Sequence, residues 1–280
     1  MIPTPSAASV GFIGAGNMAK ALAGGLLARG WAAERLHAAD SSADARAGWH
    51  AKFGLSCAED NVAVARAADV LVLAVKPQQM ATVARTLAPA MQGRRAIVIS
   101  IAAGIRLAQL EAWLGHGVAI VRAMPNTPAL VGSGAAGLYA NTQVDAAGRQ
   151  LAHDILASVG VALWLETEDQ LDAVTALSGS GPAYFFLMME ALERAGVELG
   201  LAPSTARALT LATALGAARM ATASDDDPAT LRTRVTSPGG TTEAALKLLQ
   251  RAGYADLVAR ALKAAAERAR ELAEQYGKTA

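Results

Sequence analysis

The stretch Gly14-Ala15-Gly16-Asn17-Met18-Ala19 has the spacing G-x-G-x-x-A and directly follows a short apolar run, Val10 to Ile13. Small residues at that spacing suit the binding of a dinucleotide pyrophosphate. Gly14 permits a tight turn, Gly16 lets the backbone approach the phosphates, and Ala19 lets helix and strand pack closely. A helical pattern opens at once, with Met18, Leu22, Leu26 and Leu27 on one face and Gly30 closing it. Its N-terminus would offer free N–H groups and a partial positive charge to the phosphates. The same residues could form an ordinary glycine-rich turn; the strand before them and the helix after them favour the nucleotide.

Four further stretches carry polar groups where chemistry could occur. Lys76 ends the run Asp69–Val75 and could meet a phosphate or ribose, or simply sit in water. Asn126 lies between Pro125 and Pro128 in a stiff loop, held up as donor and acceptor beside a cofactor ring, or part of a plain turn. Leu177-Ser-Gly-Ser-Gly-Pro182 suits a close backbone contact. In Ser237-Pro-Gly-Gly-Thr-Thr242, Gly239 and Gly240 precede a helix that starts at Thr241. Its N–H groups and hydroxyls suit a carboxylate, while capping by Thr241 is the plainer use. The four histidines are scattered without ligand spacing, so no metal site is expected.

These stretches need elements to hold them. Strands are expected at Val10–Ile13, Leu36–Ala39, Val70–Val75, Ile97–Ile101 and Val118–Arg122, separated by helices over 17–29, 43–53, 59–67, 77–90 and 106–114. This alternation predicts an α/β fold with a doubly wound parallel sheet, which Gly134–Ala140 and Val161–Leu165 would extend around a helix at 145–158. Beyond Asp169 only helices are expected: 182–199, 203–222, a short one after Asp227-Pro228, 241–252 and 254–276. Two domains follow, a dinucleotide-binding one over 1–167 and an all-helical one over 168–280. The helix at 182–199 carries apolar residues around most of its girth, which predicts burial against a second copy of the chain.

Composition sets outer limits. Of 280 residues, 53% are hydrophobic and 18% charged, enough for a substantial core. Lys plus Arg at 25 against Asp plus Glu at 24 gives no reason to expect nucleic acid or a membrane surface as partner. A single cysteine, Cys57, excludes an internal disulfide and fits a reducing compartment. No apolar run spans a bilayer and no secretory leader is expected at the start, so the expected location is cytoplasmic.

Val10-Gly-Phe-Ile-Gly-Ala-Gly-Asn-Met-Ala19, Ala74-Val-Lys-Pro77, Met124-Pro-Asn-Thr-Pro128, Asp172-Ala-Val-Thr175 through Leu177-Ser-Gly-Ser-Gly-Pro-Ala-Tyr184, and Ser237-Pro-Gly-Gly-Thr-Thr242 occur in this order. With these motifs the chain strongly resembles the pyrroline-5-carboxylate reductase family, from residue 10 to about 275; the last two are much more specific than the glycine fingerprint. The resemblance implies an N-terminal Rossmann-type domain and a C-terminal dimerisation domain, with homodimers that in many members assemble into larger rings. It implies NADPH or NADH as cofactor and a small cyclic imine as substrate, reduced between the cofactor of one subunit and the helical domain of its partner. By motif, Ile13, Gly14, Ala15, Gly16, Asn17 and Met18 would face the pyrophosphate. Asn61, Ala74, Val75, Lys76, Pro77 and Ala103 would line the rest of the cofactor site, with Asn126 near the nicotinamide. Ser237, Gly239, Gly240, Thr241 and Thr242 would hold the substrate, Thr242 as the catalytic contact, and Glu168 aligns with an acidic residue placed near it.

One position departs from the commonest family pattern. At the end of the second strand the chain reads Ala39-Asp40-Ser41-Ser42, and Asp40 stands where an acidic residue binds an unphosphorylated ribose. Among rival readings, a β-hydroxyacid dehydrogenase would carry a lysine soon after the Gly-rich turn, and Gly181-Pro-Ala-Tyr-Phe-Phe186 has none. A nucleotide-sensing regulator would leave the polar Ser237–Thr242 stretch without a use.

Overall fold

The computed structural model describes residues 8–278. The chain forms two compact units, residues up to Ser180 together with those from Ala264 onward, and Gly181–Lys263. The expected boundary at 167/168 therefore lies inside the first unit. The reason is local: Glu168, Asp169 and Asp172 pair with Arg122 and Arg106 of the first unit and tie this segment to it.

In the first unit, β1 (Val10–Ile13), β2 (Leu36–Ala39), β3 (Val70–Leu73), β4 (Ile97–Ser100), β5 (Ala119–Met124), β6 (Gly134–Ala140) and β7 (Gly160–Trp164) make one sheet. Its order is β2-β1-β3-β4-β5-β6-β7. The helices between them are α1 (Asn17–Ala28), α2 (Ala43–Phe53), α3 (Asn61–Ala67), α4 (Pro77–Met91), α5 (Leu107–Leu114) and α6 (Ala146–Ala157), followed by α7 (Gln170–Val174). Alternate residues of a strand enter opposite cores. Phe12, Val70, Val72 and Ile99 pack with α1 and α6 on one face, whereas Ile13, Leu71, Leu73 and Val98 pack with α3, α4 and α5 on the other. Burial on both faces explains why these strands read as continuous apolar runs.

Among the described residues every strand pairing is parallel except one. β5 and β6 are antiparallel, with Val121 opposite Ala140 and Met124 opposite Gly137. A parallel sheet throughout was expected. Only residues 125–133, including a tight turn at Thr127–Val131, join the two strands. That is shorter than the dozen or so residues a parallel crossover requires.

The second unit contains α8 (Gly181–Glu198), α9 (Pro203–Thr222), α10 (Pro228–Arg234), α11 (Thr241–Arg251) and the first part of α12 (Tyr254–Lys278). α8 and α9 form a hairpin. Gly200 at φ +97 closes α8, the Leu201 N–H donates to the Gly196 carbonyl at 3.1 Å, and Gly196 gives Ala206 its place. The outer face of α8 remains uncovered in the single chain: Phe185, Phe186 and Leu187 are 67, 64 and 67% exposed. Among the described residues no helix is long and apolar enough to cross a membrane.

Candidate active site

In a doubly wound sheet, ligands bind where the strand order reverses, beyond the carboxyl ends of the strands. Here β1 lies between β2 and β3, so β1 and β3 run on in opposite directions of the winding. A cleft of ≈ 520 Å³ opens at that junction, lined by Gly14 and Gly16 after β1, Asp40 to Ser42 after β2, and Ala74 to Lys76 after β3.

The glycines differ in their reasons. Gly14 has φ +96, and a Cβ there would stand 2.7 Å from the Ala74 carbonyl oxygen, so the protein itself demands glycine. At Gly16, a Cβ would meet no protein atom within 4 Å. Its lack of a side chain leaves open space over the start of α1, which no side chain caps. Open backbone at a helix N-terminus is a fit for a phosphate. Asn61 lines the same cleft, and its buried side-chain oxygen has no hydrogen-bond partner. An acceptor left in that state fits a hydroxyl donated by a bound sugar.

Asp40 does more than face the cleft. Its Oδ2 accepts the Ala15 N–H at 2.8 Å and its Oδ1 accepts the Ser42 N–H at 2.8 Å. The carboxylate thus pins the glycine turn to the end of β2. Arg46 lies beneath, donating to the Asp40 and Ser41 carbonyls at 2.9 and 3.0 Å. Asp40, Ser41 and Ser42 therefore share one end of the cleft, with Arg46 bonded to the backbone of that turn.

The remaining sequence candidates separate. Ile13 and Ala15 are fully buried and act through backbone, Asn17 is exposed in the first turn of α1, and Met18 packs partly on the core. Lys76 precedes α4 as its N-cap residue, and Pro77 opens the helix but faces a neighbouring hollow. Ala103 sits half-buried on the turn after β4, outside the cleft lining. Gln78, Gln79 and Thr82, on the first turns of α4, line the cleft and were not singled out from sequence. The adjoining Lys76-Pro77 helix start was the only signal for them.

Two expectations meet an internal use. The Asn126 side chain donates to the Ser178 carbonyl at 3.0 Å and accepts the Ala135 N–H at 2.9 Å, so it fastens the start of β6 rather than standing free. Glu168 Oε1 pairs with Arg122 at 2.6 Å and accepts the Leu107 N–H at 2.7 Å, at the start of α5. Burial pulls the Arg122 guanidinium below its ordinary value, with the Glu168 charge opposing. Glu168 is the counter-ion of a buried arginine; both bonds go to Oε1, and the side chain is 23% exposed.

In the second unit, the N–H groups of the Gly-Gly turn before α11 are already used. The Gly239 N–H donates to Glu243 Oε2 at 2.8 Å, and the Gly240 N–H donates to the Ser237 carbonyl at 3.0 Å. Gly239 at φ +71 makes this turn possible. Lys247 holds the other oxygen of Glu243 at 3.0 Å, and these bonds keep its carboxyl below the usual range. No side chain caps α11, so its first N–H groups, Thr241 to Glu243, remain uncovered beside the exposed Thr241 and Thr242.

Fold and cleft together define a Rossmann-type dinucleotide-binding protein. Residues 9–104 match the family described as NADP oxidoreductase, coenzyme F420-dependent, and residues 168–272 match the pyrroline-5-carboxylate reductase dimerisation family. A pyrroline-5-carboxylate reductase of Pseudomonas aeruginosa is 55% identical over 96% of this chain and 98% of its own length; one of Haemophilus influenzae is 43% identical over 94 and 97%. Among solved structures, the enzyme of Coxiella burnetii superposes with a TM-score of 0.92 at 45% identity, covering 95% of this chain and 99% of that one. The Plasmodium falciparum pyrroline carboxylate reductase with NADP bound gives 0.85 at 32% identity, covering 96 and 100%. The chain belongs to the pyrroline-5-carboxylate reductase family.

Proposed function

We propose that this chain transfers a hydride from NAD(P)H to the cyclic imine 1-pyrroline-5-carboxylate, giving L-proline, the last step of proline biosynthesis. The observation that carries the reading is the uncapped start of α11, a carboxylate-sized set of N–H donors with two exposed threonine hydroxyls, in a chain that also has a dinucleotide cleft. In this reading Gly14, Gly16, Asn17 and Met18 hold the pyrophosphate by backbone. Asp40, Ser41, Ser42 and Asn61 take the adenosine ribose, and Ala74 to Pro77, with Ala103 and Asn126, form the wall beyond. When bound, the nicotinamide supplies the hydride.

The chain's own part is binding and orientation. The N–H groups of Thr241, Thr242 and Glu243 take the substrate carboxylate, with Ser237, Gly239 and Gly240 shaping the turn. The Thr242 hydroxyl hydrogen-bonds the ring nitrogen, which fixes the imine carbon for attack. No histidine or lysine is assigned as proton donor; solution protonates the imine. Glu168 supports the fold around Arg122.

The two functional domains follow the division at 167/168, supported by the dimerisation match that starts at 168. The exposed apolar face of α8 supports a homodimer, and dimers assembled into a larger ring follow the same reading. The near-balanced charge supports neither nucleic acid nor membrane as partner, and the lone free thiol of Cys57 fits a cytoplasmic location. Mixing the protein with the imine and either NADPH or NADH, and following nicotinamide absorbance, tests the reading. Oxidation that depends on the imine is expected; none with either cofactor overturns it.

A further inference from the structure

Tyr276 stands near the end of α12, in the part of that helix that belongs to the first unit. Its ring lies against the turn after β4. Gly104 there has φ +74, and a Cβ on it would stand 3.2 Å from Cδ2 and Cε2 of the tyrosine. The Tyr276 hydroxyl accepts the Gln78 side-chain N–H at 3.2 Å. Gln78 lines the cofactor cleft. It also lines a second hollow of ≈ 410 Å³ on its other side, together with Trp113 and Tyr276. Nearby, the Gln109 side chain donates to the Ala273 carbonyl at 3.4 Å and accepts the Arg106 N–H at 2.7 Å, so the end of α12 is seated on the start of α5 as well.

We infer that Tyr276 is a positioning residue for the dinucleotide cleft. It touches two walls of the strand-end surface at once: the turn after β4 through Gly104, and the first turn of α4 through Gln78. Gln78 is a long amide between two hollows. Held by the tyrosine hydroxyl, it keeps one place beside the cleft; released, it has the second hollow to enter. A segment nearly two hundred residues away in the chain thereby sets the shape of the cofactor site. The apolar ring and the flat glycine turn supply the contact, and the hydroxyl supplies the direction.

This inference rests on the cleft being the NAD(P)H site, so direct titration of the unaltered protein with NADPH, read by fluorescence, tests that reading separately. Given binding there, Tyr276→Phe in the full chain is expected to raise the cofactor KM about threefold to tenfold, the scale of one neutral hydrogen bond. At saturating cofactor its kcat and its Tm should match the parent. Tyr276→Ala should raise the cofactor KM further. Gln78→Ala should raise the cofactor KM in the same way, and adding Tyr276→Phe to it should raise it by less than the sum of the two, because they share one hydrogen bond. An unchanged cofactor KM in both tyrosine variants overturns the inference, as does full additivity with Gln78→Ala, or a loss of Tm with the cofactor KM unmoved.

Discussion

In the proposed reading, rate and cofactor choice turn on two single residues, Thr242 and Asp40. A hydroxyl beside the ring nitrogen gains an acceptor as hydride adds to the protonated imine and a lone pair forms there, so part of its effect belongs in kcat. Thr242→Ala should lower kcat/KM about tenfold to a hundredfold, and Thr242→Ser should keep most activity, with the cofactor Kd unmoved in both. Steady-state rates and a cofactor titration decide; equal losses in the two variants would assign the effect to the methyl group. Asp40 has two tasks, because both its oxygens already accept backbone N–H groups of the turns it joins. Asp40→Ser removes a charge that repels a 2′-phosphate and also frees the Ala15 N–H. The expected result is a ratio of NADPH to NADH kcat/KM raised about tenfold or more, with poorer KM for both cofactors. An unchanged ratio would leave Asp40 with the turn alone.

At the scale of elements, the turn before α11 depends on one carboxylate. Glu243 holds the Gly239 N–H, and Lys247 holds Glu243. The folded-state pKa of Glu243 lies below its ordinary value, first through Lys247 and then through Gly239. A depressed carboxylate pKa contributes stability above the unfolded value and loses it as pH falls through the folded one. The turn therefore keeps its shape at neutral pH and loosens only in acid, below the ordinary glutamate range. Glu243→Ala should raise the substrate KM about threefold to tenfold at neutral pH while the cofactor Kd holds, since the lost bond shapes only this turn. Separate KM measurements for imine and cofactor check it, and a change confined to the cofactor would refute it.

For the whole molecule, the uncovered face of α8 is the largest statement the single chain makes. Phe185, Phe186, Leu187 and Leu192 are all more than half exposed, on a helix whose family match is to a dimerisation domain. Water around so much apolar area is unfavourable, and a second copy would remove it. The protein should sediment as a dimer or a multiple of one at micromolar concentration. Leu192→Glu places an unpaired charge on that face and should shift the population toward monomer or aggregate. A parent protein that sediments as a monomer would refute the dimer.

The sequence by itself determined the elements and the motif positions. Period, prolines and glycines are local properties, so Leu36–Ala39, the helix from Pro203 to Thr222 and the turn at Gly14 could be read without a partner in space. Resemblance added the family, because its motifs carry an order that local patterns lack. What only the tertiary structure decided is who pairs with whom. The antiparallel joining of β5 and β6 follows from a short connection across the sheet. The uses of Asn126 and Glu168 depend on Ser178, Ala135, Arg122 and Leu107, tens of residues apart in some cases. The occupation of the Gly239 N–H by Glu243 is local, four residues on, but a pattern of free donors did not include it. A polar side chain declares its chemistry in the sequence, but its hydrogen bonds are satisfied by whatever the fold brings within about 3 Å, and that is a property of the packed chain.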